Sequence, residues 1–288
     1  MSSNLINRLG PFEADLQAAF ERNVRDALSE DIGAGDLTGL LVPAYEQVTA
    51  HVVVREAAVL CGAPWFDAVM AACAESVQID WQYAEGALMQ ADSVVCKITA
   101  PARALLTAER AALNFLQMLS AVASATSHYV GLVAGTKAAI LDTRKTMPGL
   151  RLAQKYAVLA GGGQNQRLAL YDGILIKENH IAAAGGVAAA MAHALALRAG
   201  VSIQIEVENL AELALALEAG ATSVLLDNFD LAQMREAVAF TAGRAVLEAS
   251  GGVDQSSVRA IAETGVDRIS IGSLTKDVRA IDYSLRII

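Results

Sequence analysis

Six apolar segments in the second half of the chain each end in a residue suited to binding an anion, a metal or a sugar hydroxyl. Some ends carry cationic or carboxylate side chains, and others carry glycines, which expose their backbone N–H groups. Helical stretches separate the segments at intervals of roughly twenty to thirty residues, the rhythm of a parallel β/α barrel. Because the active sites of such barrels lie at the carboxyl ends of the strands, we expect these polar ends to converge on one pocket. The segments with their polar ends are 141–145, 174–177, 203–206, 224–227, 246–252 and 269–272.

The cationic ends indicate an anion site. Arg144 and Lys145 follow one apolar segment, and Arg167 and Lys177 come a short distance later. Arg110 lies on the helical stretch that precedes them. An isolated Lys or Arg is usually a solvated surface group. Several at neighbouring strand ends are different, because Arg offers a carboxylate or phosphate a planar fork and Lys offers a point charge. We expect a cationic wall that binds a small polyanionic acid.

The carboxylates and glycines indicate a second site beside the first. Glu206 and Asp227 end two later strands. They are either capping and salt-bridging groups, or ligands of Mg²⁺ or of a ribose diol. The strings Ser250-Gly251-Gly252 and Gly272-Ser273 each lie between a strand and a helix, where backbone N–H groups can approach a phosphate. This second set fits a magnesium-bound sugar phosphate.

Composition excludes several classes of protein. The chain has 288 residues, 54% of them hydrophobic and 18% charged, which predicts a substantial folded core. Its net charge of −9 and pI near 5.0 argue against binding nucleic acid or an anionic membrane. Apolar runs are too short to span a bilayer, and no secretory signal is recognised, so we expect a cytoplasmic protein. The three cysteines have no metal-ligand spacing, which favours reduced thiols.

The periodicity predicts two domains. An α+β domain with a mostly antiparallel sheet is expected over residues 1–120, and the parallel α/β barrel over 121–275. The last segment, 276–288, has no evident role in the barrel and is expected to pack back on the first domain. Helices are expected at 12–31, 64–75 and 101–134, and extended segments of the first domain at 48–55, 58–61, 77–83 and 93–99.

Five strings resemble those of the quinolinate phosphoribosyltransferase family, also called nicotinate-nucleotide pyrophosphorylase (carboxylating). The most specific are Asp-Thr-Arg-Lys-Thr within 141–150 and Ile-Lys-Glu-Asn-His within 175–180, and the others lie at 107–114, 206–209 and 263–267. The resemblance implies a two-domain subunit with an N-terminal α+β sandwich and an incomplete, roughly seven-stranded α/β barrel. It also implies a homodimer, with a higher assembly left open, in which each active site is completed by the neighbour's N-terminal domain.

The resemblance implies an activity. A phosphoribosyl group passes from 5-phosphoribosyl 1-pyrophosphate to quinolinate with decarboxylation, giving nicotinate mononucleotide, pyrophosphate and CO₂ for NAD biosynthesis. Arg110 is implied to reach into the neighbour's site, and Lys145, Glu206 and Asp227 to be catalytic, the two carboxylates by holding Mg²⁺ directly or through the substrate. The residues implied to hold quinolinate are Thr143, Arg144, Lys145, Arg167 and Lys177. The residues implied to hold the sugar phosphate are Glu206, Asp227, Ser250, Gly251, Gly252, Ile271, Gly272 and Ser273.

Two positions depart from the family pattern. Gln166 stands where the family usually has His, and Ala169 where Gly is common. A neutral Gln can donate a hydrogen bond to a carboxylate but adds no charge. Gln166 therefore keeps open a related phosphoribosyltransferase for another small acid. Two further alternatives are a non-catalytic metabolite sensor on the same fold, which the retained charged strand ends disfavour, and a different phosphate-binding barrel enzyme such as an isomerase, which needs a general base.

Overall fold

Two units, each with its own main sheet, make up the part of the chain that the computed structural model describes, residues 13–74 and 76–288. The first unit runs to Ser127 and also takes Thr146–Gly162 and Leu274–Ile288. The second takes His128–Lys145 and Gly163–Ser273. Phe12 and Glu75, at the ends of two expected helices, lie outside the described residues.

The described residues form the following helices and strands. The helices are α1 Glu13–Ile32, α2 Ala63–Cys73, α3 Ala102–Leu132, α4 Arg151–Ala160, α5 Glu178–Ala184, α6 Val187–Ala196, α7 Leu210–Glu218, α8 Leu231–Thr241, α9 Val258–Ala262 and α10 Ser273–Lys276. The strands are β1 Gln47–Val54, β2 Ala58–Val59, β3 Gln78–Trp81, β4 Leu88–Met89, β5 Ser93–Pro101, β6 Ala139–Leu141, β7 Gly173–Ile176, β8 Ser202–Val207, β9 Ser223–Asp227, β10 Val246–Ser250, β11 Arg268–Ser270 and β12 Tyr283–Ile287. A 3₁₀ turn spans Gly39–Leu41. No helix among the described residues is long and apolar enough to cross a membrane.

The first unit contains a four-stranded antiparallel sheet in the order β12-β1-β5-β3. Ala50, Val52 and Val54 alternate along β1 and are fully buried, which is the period of a strand with one face on a core. The last strand of the chain pairs with β1, and its register places Tyr283 opposite Val54. The C-terminal segment is therefore part of the sheet of the first unit.

Helix α4 belongs to the first unit, although the sequence analysis assigned its residues to the barrel. The ring of Tyr156 lies 5.3 Å from that of Trp65, which packs edge-on against Phe20 of α1 at 5.2 Å. The side-chain amide of Asn23 donates to the carbonyl of Gly149, just before α4, at 3.0 Å. Helix α4 lies between two barrel strands in sequence, but its aromatic contacts place it in the core of the first unit. The periodicity of the strands does not predict this contact.

The second unit is built on six parallel strands in the order β6-β11-β10-β9-β8-β7. They coincide with the six segments predicted from the sequence, so the predicted α/β fold is confirmed. In place of the expected seventh strand, the described residues show a single parallel bridge, between Leu141 at the end of β6 and Gln164. The N–H of Gln164 donates to Ile140 O at 2.8 Å, and the N–H of Asp142 donates to Gln164 O at 3.2 Å. The barrel is therefore incomplete on the side of this bridge.

Candidate active site

Strand register places three predicted site residues on one face of the parallel sheet. Glu206 of β8 pairs with Leu225 of β9, which in turn pairs with Glu248 of β10. Asp227 pairs with Ser250, two residues further along. Residues paired across strands, and residues two apart on one strand, share a face of a sheet. Glu206, Asp227 and Ser250 therefore project from the same face, at the carboxyl ends of their strands.

Lys177 joins this face beyond the end of β7. Leu175 pairs with Gln204, so Lys177 and Glu206, each two residues further on, point the same way. Their side chains meet, with Lys177 Nζ 2.7 Å from Glu206 Oε2. The N–H of Lys177 donates to His180 Nδ1 at 3.0 Å, so the imidazole caps the first turn of α5. A cation assigned to the acid site thus lies beside a carboxylate assigned to the sugar-phosphate site.

The ends of β6 and β11 come together around Gly272. A Cβ atom at this glycine would lie 3.1 Å from Cδ of Lys145 and 3.7 Å from Oγ1 of Thr143. The N–H of Lys145 donates to the same Thr143 oxygen at 3.1 Å. Ile271 N–H continues the pairing by donating to Leu141 O at 2.9 Å. Because Gly272 has no side chain, the Lys145 side chain can pass close to the backbone at the end of β11. Ser273, the next residue, begins α10.

The glycine turn after β10 is held against the end of β9. Gly251 and Gly252 have φ values of +101° and +60°, which L side chains rarely adopt. A Cβ at Gly251 would also collide with the side-chain oxygen of Asn228. The Asn228 N–H donates to Ser250 O at 3.0 Å, and its side-chain amide donates to Asp227 Oδ2 at 2.8 Å. The turn and the Asp227 carboxylate are therefore fixed to each other through one asparagine.

Arg144 and Arg167 form the cationic part of the site. Partial burial and the neighbouring Arg144 guanidinium lower the pKa of Arg167, while Asp172 opposes them. Arg167 Nη1 donates to Gly173 O at 3.0 Å. In the described part of the chain, Nε of Arg144 is buried without a hydrogen-bond acceptor. Two adjacent guanidiniums, one with a buried N–H that has no acceptor among the described residues, can together bind an anion.

Sequence reasoning missed a polar network inside the barrel. Asp142, fully buried, accepts from the side-chain amide of Asn165 at 2.7 Å and from the N–H of Gln166 at 2.9 Å. Gln204 and Glu248, also buried, are hydrogen-bonded to each other at 2.9 Å. The sequence does contain a pattern that could have predicted this network. Polar residues alternate with apolar ones in β8 and β10, and such alternation indicates that the polar side chains share one face of the sheet.

The metal-binding capacity of the site depends on two carboxylates. Among residues 13–74 and 76–288, no group of three or more His, Cys, Asp or Glu side chains is arranged to hold a metal ion. Glu206 and Asp227 nevertheless share a face, and Mg²⁺ commonly uses one or two carboxylates together with substrate phosphates. The two residues therefore fit a magnesium ion that arrives with a phosphorylated substrate.

Arg110 lies in the first unit, on α3, with an exposed side chain. All the other predicted site residues belong to the second unit. Burial raises the pKa of the adjacent Glu109 carboxyl, and the charge of Arg110 lowers it.

Comparison with known proteins identifies the family. The family sequence model described as "Quinolinate phosphoribosyl transferase, N-terminal domain" matches residues 36–120, and that of the corresponding C-terminal domain matches 122–286. The chain belongs to the quinolinate phosphoribosyltransferase family. Two curated members of the family and one solved structure extend over nearly the whole length of the chain.

The chain is 40% identical over 272 residues to the nicotinate-nucleotide pyrophosphorylase (carboxylating) of Mycobacterium leprae, covering 91% of this chain and 95% of the relative. It is 38% identical over 259 residues to the probable enzyme of the same name from Bacillus subtilis, covering 90% of each. The structure of the nicotinate-nucleotide pyrophosphorylase from Francisella tularensis matches with a TM-score of 0.92 and 44% identity, covering 94% of this chain and 96% of that one. The resemblance inferred from the five strings is confirmed.

Proposed function

We propose that this member of the quinolinate phosphoribosyltransferase family transfers the phosphoribosyl group of 5-phosphoribosyl 1-pyrophosphate to quinolinate and releases CO₂. The observation that carries the proposal is the pair Arg144 and Arg167, in which the buried Nε of Arg144 has no acceptor among residues 13–74 and 76–288. A monoacid can make a charge-assisted contact with only one of the two adjacent guanidiniums. A diacid offers one carboxylate to each, which favours quinolinate over nicotinate.

The acid side of the site is the cationic wall formed by Arg144, Lys145, Arg167 and Lys177. Thr143 Oγ1 accepts the Lys145 N–H at 3.1 Å, which fixes the backbone where this wall begins. Guanidinium and ammonium donors make charge-assisted hydrogen bonds, about twice as strong as neutral ones. The wall binds the two carboxylates of quinolinate and orients its ring nitrogen toward the ribose.

The sugar-phosphate side consists of the two carboxylates and the glycine turns. Glu206 and Asp227 would hold Mg²⁺ with the pyrophosphate or bind the ribose hydroxyls, and bound Mg²⁺ supplies charge that stabilises the pyrophosphate oxygens. The turn at Ser250, Gly251 and Gly252 and the segment 271–273 offer backbone N–H groups to the 5-phosphate. The positive φ values at the two glycines after β10 suit such a backbone cradle.

The reaction has two steps. The lone pair of the pyridine nitrogen forms a bond to the anomeric carbon while the bond to pyrophosphate breaks and its electrons leave with pyrophosphate. The resulting pyridinium loses its 2-carboxylate as CO₂, the electron pair remains on the ring carbon beside N⁺, and this carbon then takes a proton from solvent water. Neither step requires a protein nucleophile, so the side chains act by orientation and by electrostatic stabilisation. The product is nicotinate mononucleotide.

A direct assay tests this proposal. The purified protein is mixed with quinolinate labelled in its 2-carboxylate, 5-phosphoribosyl 1-pyrophosphate and Mg²⁺, and labelled CO₂ and the mononucleotide are measured together. The expected result is equal amounts of both products, with little product when nicotinate replaces quinolinate. Mononucleotide formed from nicotinate but not from quinolinate would assign the protein to another small acid. Binding of quinolinate without any turnover would indicate a sensor.

We also propose that the active protein is a homodimer in which Arg110 enters the neighbour's site. Support comes from an apolar surface on the first unit, where Leu37, Leu40, Leu41 and Tyr45 are between 65% and 91% exposed within one short segment. Large exposed apolar patches commonly mark interfaces. The segment is well anchored, because Asp36 accepts the N–H of Gly39 and the hydroxyl of Thr107 on α3, both at 2.8 Å. Arg110 lies one turn further along that helix.

A further inference from the structure

A directional chain of hydrogen bonds runs from the cationic wall into the barrel. The N–H of Arg167 donates to Gln166 Oε1 at 2.6 Å. Gln166 Nε2 donates to Gln204 Oε1 at 2.6 Å, and Gln204 Nε2 donates to Glu248 Oε2 at 2.9 Å. Every donor in this relay, defined as Arg167 N–H, Gln166, Gln204 and Glu248, points toward the carboxylate. Both ends of the Gln166 side chain are therefore occupied within the barrel.

The two ends of the relay fix the orientation of both amides. A backbone N–H can only donate, and Glu248 Oε2 accepts from the Gln204 amide. If the Gln204 amide turned over, Gln166 would also have to turn, and its NH₂ group would then face the Arg167 N–H, donor against donor. Glu248 thus determines, through two side chains, whether the backbone of Arg167 has an acceptor.

The surroundings of Glu248 hold its carboxyl group in the position that accepts from Gln204. It is fully buried, and on the neighbouring strands it pairs with Leu225 of β9 and Arg268 of β11. Burial raises the pKa of its carboxyl, and the hydrogen bond from Gln204 and the charge of Arg268 lower it. Gln166, Gln204 and Glu248 line a cavity of about 270 Å³.

We infer that Gln204 and Glu248 are positioning residues for quinolinate binding, which act through Gln166 by holding the backbone of Arg167 in place. This inference rests on the proposed function. It assigns Gln166 an internal role in place of a direct contact with the acid. The relay adds no charge to the wall, but it sets the direction in which a cation of the wall projects.

Three substitutions test the relay. Gln204→Leu and Glu248→Leu break it at different links, and Gln166→Leu removes the link nearest Arg167, at a half-buried position where folding is less at risk. Each is expected to raise the KM for quinolinate by about tenfold, the scale of losing a hydrogen-bond link in a buried network. The KM for 5-phosphoribosyl 1-pyrophosphate and kcat are expected to stay within about twofold, because the sugar-phosphate side is untouched. Glu218→Leu, at an exposed position on α7, is the matched control.

A double exchange separates positioning from packing. In Gln204→Glu combined with Glu248→Gln, position 204 still presents an acceptor to Gln166 and position 248 can donate to it, so the KM for quinolinate is expected to return to within about twofold of wild type. The relay is overturned if the Leu variants keep the wild-type KM, if all kinetic constants shift together, or if the exchange does not recover. The proposed function fails separately, if the wild-type protein makes no mononucleotide from quinolinate.

Discussion

The ammonium group of Lys177 lies 2.7 Å from a carboxylate oxygen of Glu206, and the carboxylate is the less exposed partner, at 11% against 43% for the lysine side chain. The pair joins the acid side of the site to the sugar-phosphate side. An ion pair with one half-exposed partner contributes little to stability, so a bound anion can compete for the lysine and a bound cation can compete for the carboxylate. On the proposed assignment, the pair lies where the two substrates would meet.

Removing the charge of Glu206 should affect the two substrates unequally. For Glu206→Gln we expect the KM for 5-phosphoribosyl 1-pyrophosphate to rise by about tenfold and the Mg²⁺ concentration needed for half-maximal rate to increase, since one hard oxygen ligand is lost. We expect Asp227→Asn to raise the same KM and the same Mg²⁺ requirement. Steady-state kinetics with varied Mg²⁺ measure both effects, and titration with quinolinate should show a smaller change. Wild-type kinetics in both variants would mean that the sugar-phosphate side has been misplaced.

Removing a cation of the wall should weaken acid binding without unfolding the protein. Arg144→Ala and Lys145→Ala each take away a charge-assisted contact, so quinolinate affinity is expected to fall by about tenfold or more. Isothermal titration calorimetry measures the affinity, and circular dichroism checks the fold. Arg235→Ala, on the exposed surface of α8, is the control for loss of one positive charge. Near-normal affinity in both wall variants would contradict the proposed site.

The sequence predicted the barrel because its strands carry a strong signal. Apolar runs that end in polar residues and alternate with helices predict a parallel sheet, and all six strands are found where this pattern placed them. The pairing of the polar ends also follows from the fold, since parallel strands end at the same edge. The contact between Lys177 and Glu206 and the approach of Lys145 to Gly272 therefore lay within reach of sequence reasoning.

The association of α4 and the internal relay could not be predicted in the same way. Helix α4 lies between two barrel strands in sequence, and only the contact of Tyr156 with Trp65 associates it with the first unit. The relay depends on a side-chain hydrogen bond between β8 and β10, on either side of β9, which single-strand patterns do not specify. Gln166 was recognised as a departure from the family pattern, but its two hydrogen-bond partners come from tertiary structure.

Adding a methyl group at Gly272 should disturb Lys145. The new Cβ would lie 3.1 Å from Cδ of that lysine, so the side chain must shift by a few tenths of an ångström, and quinolinate affinity is expected to fall severalfold. Gly131→Ala, on α3, is the matched control, because its Cβ would meet no described residue within 4 Å apart from its chain neighbours and the adjacent backbone of its own helix. Calorimetric titration of both variants tests the contact. An unchanged affinity in Gly272→Ala would show that Lys145 does not need this path.

The buried carboxyl of Glu85 should make stability depend on pH. It accepts the N–H groups of Gly62 and Ala63 and the hydroxyl of Tyr156, but burial raises its pKa above the ordinary value of 4.5 despite these hydrogen bonds. An acid with a raised folded pKa stabilises the fold below its unfolded pKa, and that contribution is lost as pH rises through the folded pKa. Glu85→Gln stays neutral and should gain stability relative to wild type as pH rises above 4.5.

Unfolding midpoints measured for both proteins from acid to neutral pH test this prediction. Placing an amide beside two N–H donors changes the unfolding midpoint by an amount that does not depend on pH. This change cancels when only the pH dependence of the difference between the two midpoints is considered. Glu21→Gln, at an exposed position on α1, is the control. A difference between wild type and Glu85→Gln that is flat with pH would contradict the direction of the pKa shift.

Subunit exchange should reveal which pocket Arg110 serves. In a homodimer whose sites are completed across the interface, Arg110→Ala and Lys145→Ala are each expected to lose most of the activity at quinolinate concentrations near the wild-type KM. A mixed dimer of the two has one pocket that combines Arg110 from one chain with Lys145 from the other, so mixing is expected to restore up to about half of the wild-type activity per mixed dimer. Native mass spectrometry verifies that exchange has occurred. If exchanged dimers stay inactive, Arg110 serves its own subunit or no pocket, and the apolar segment around Leu41 then needs another partner.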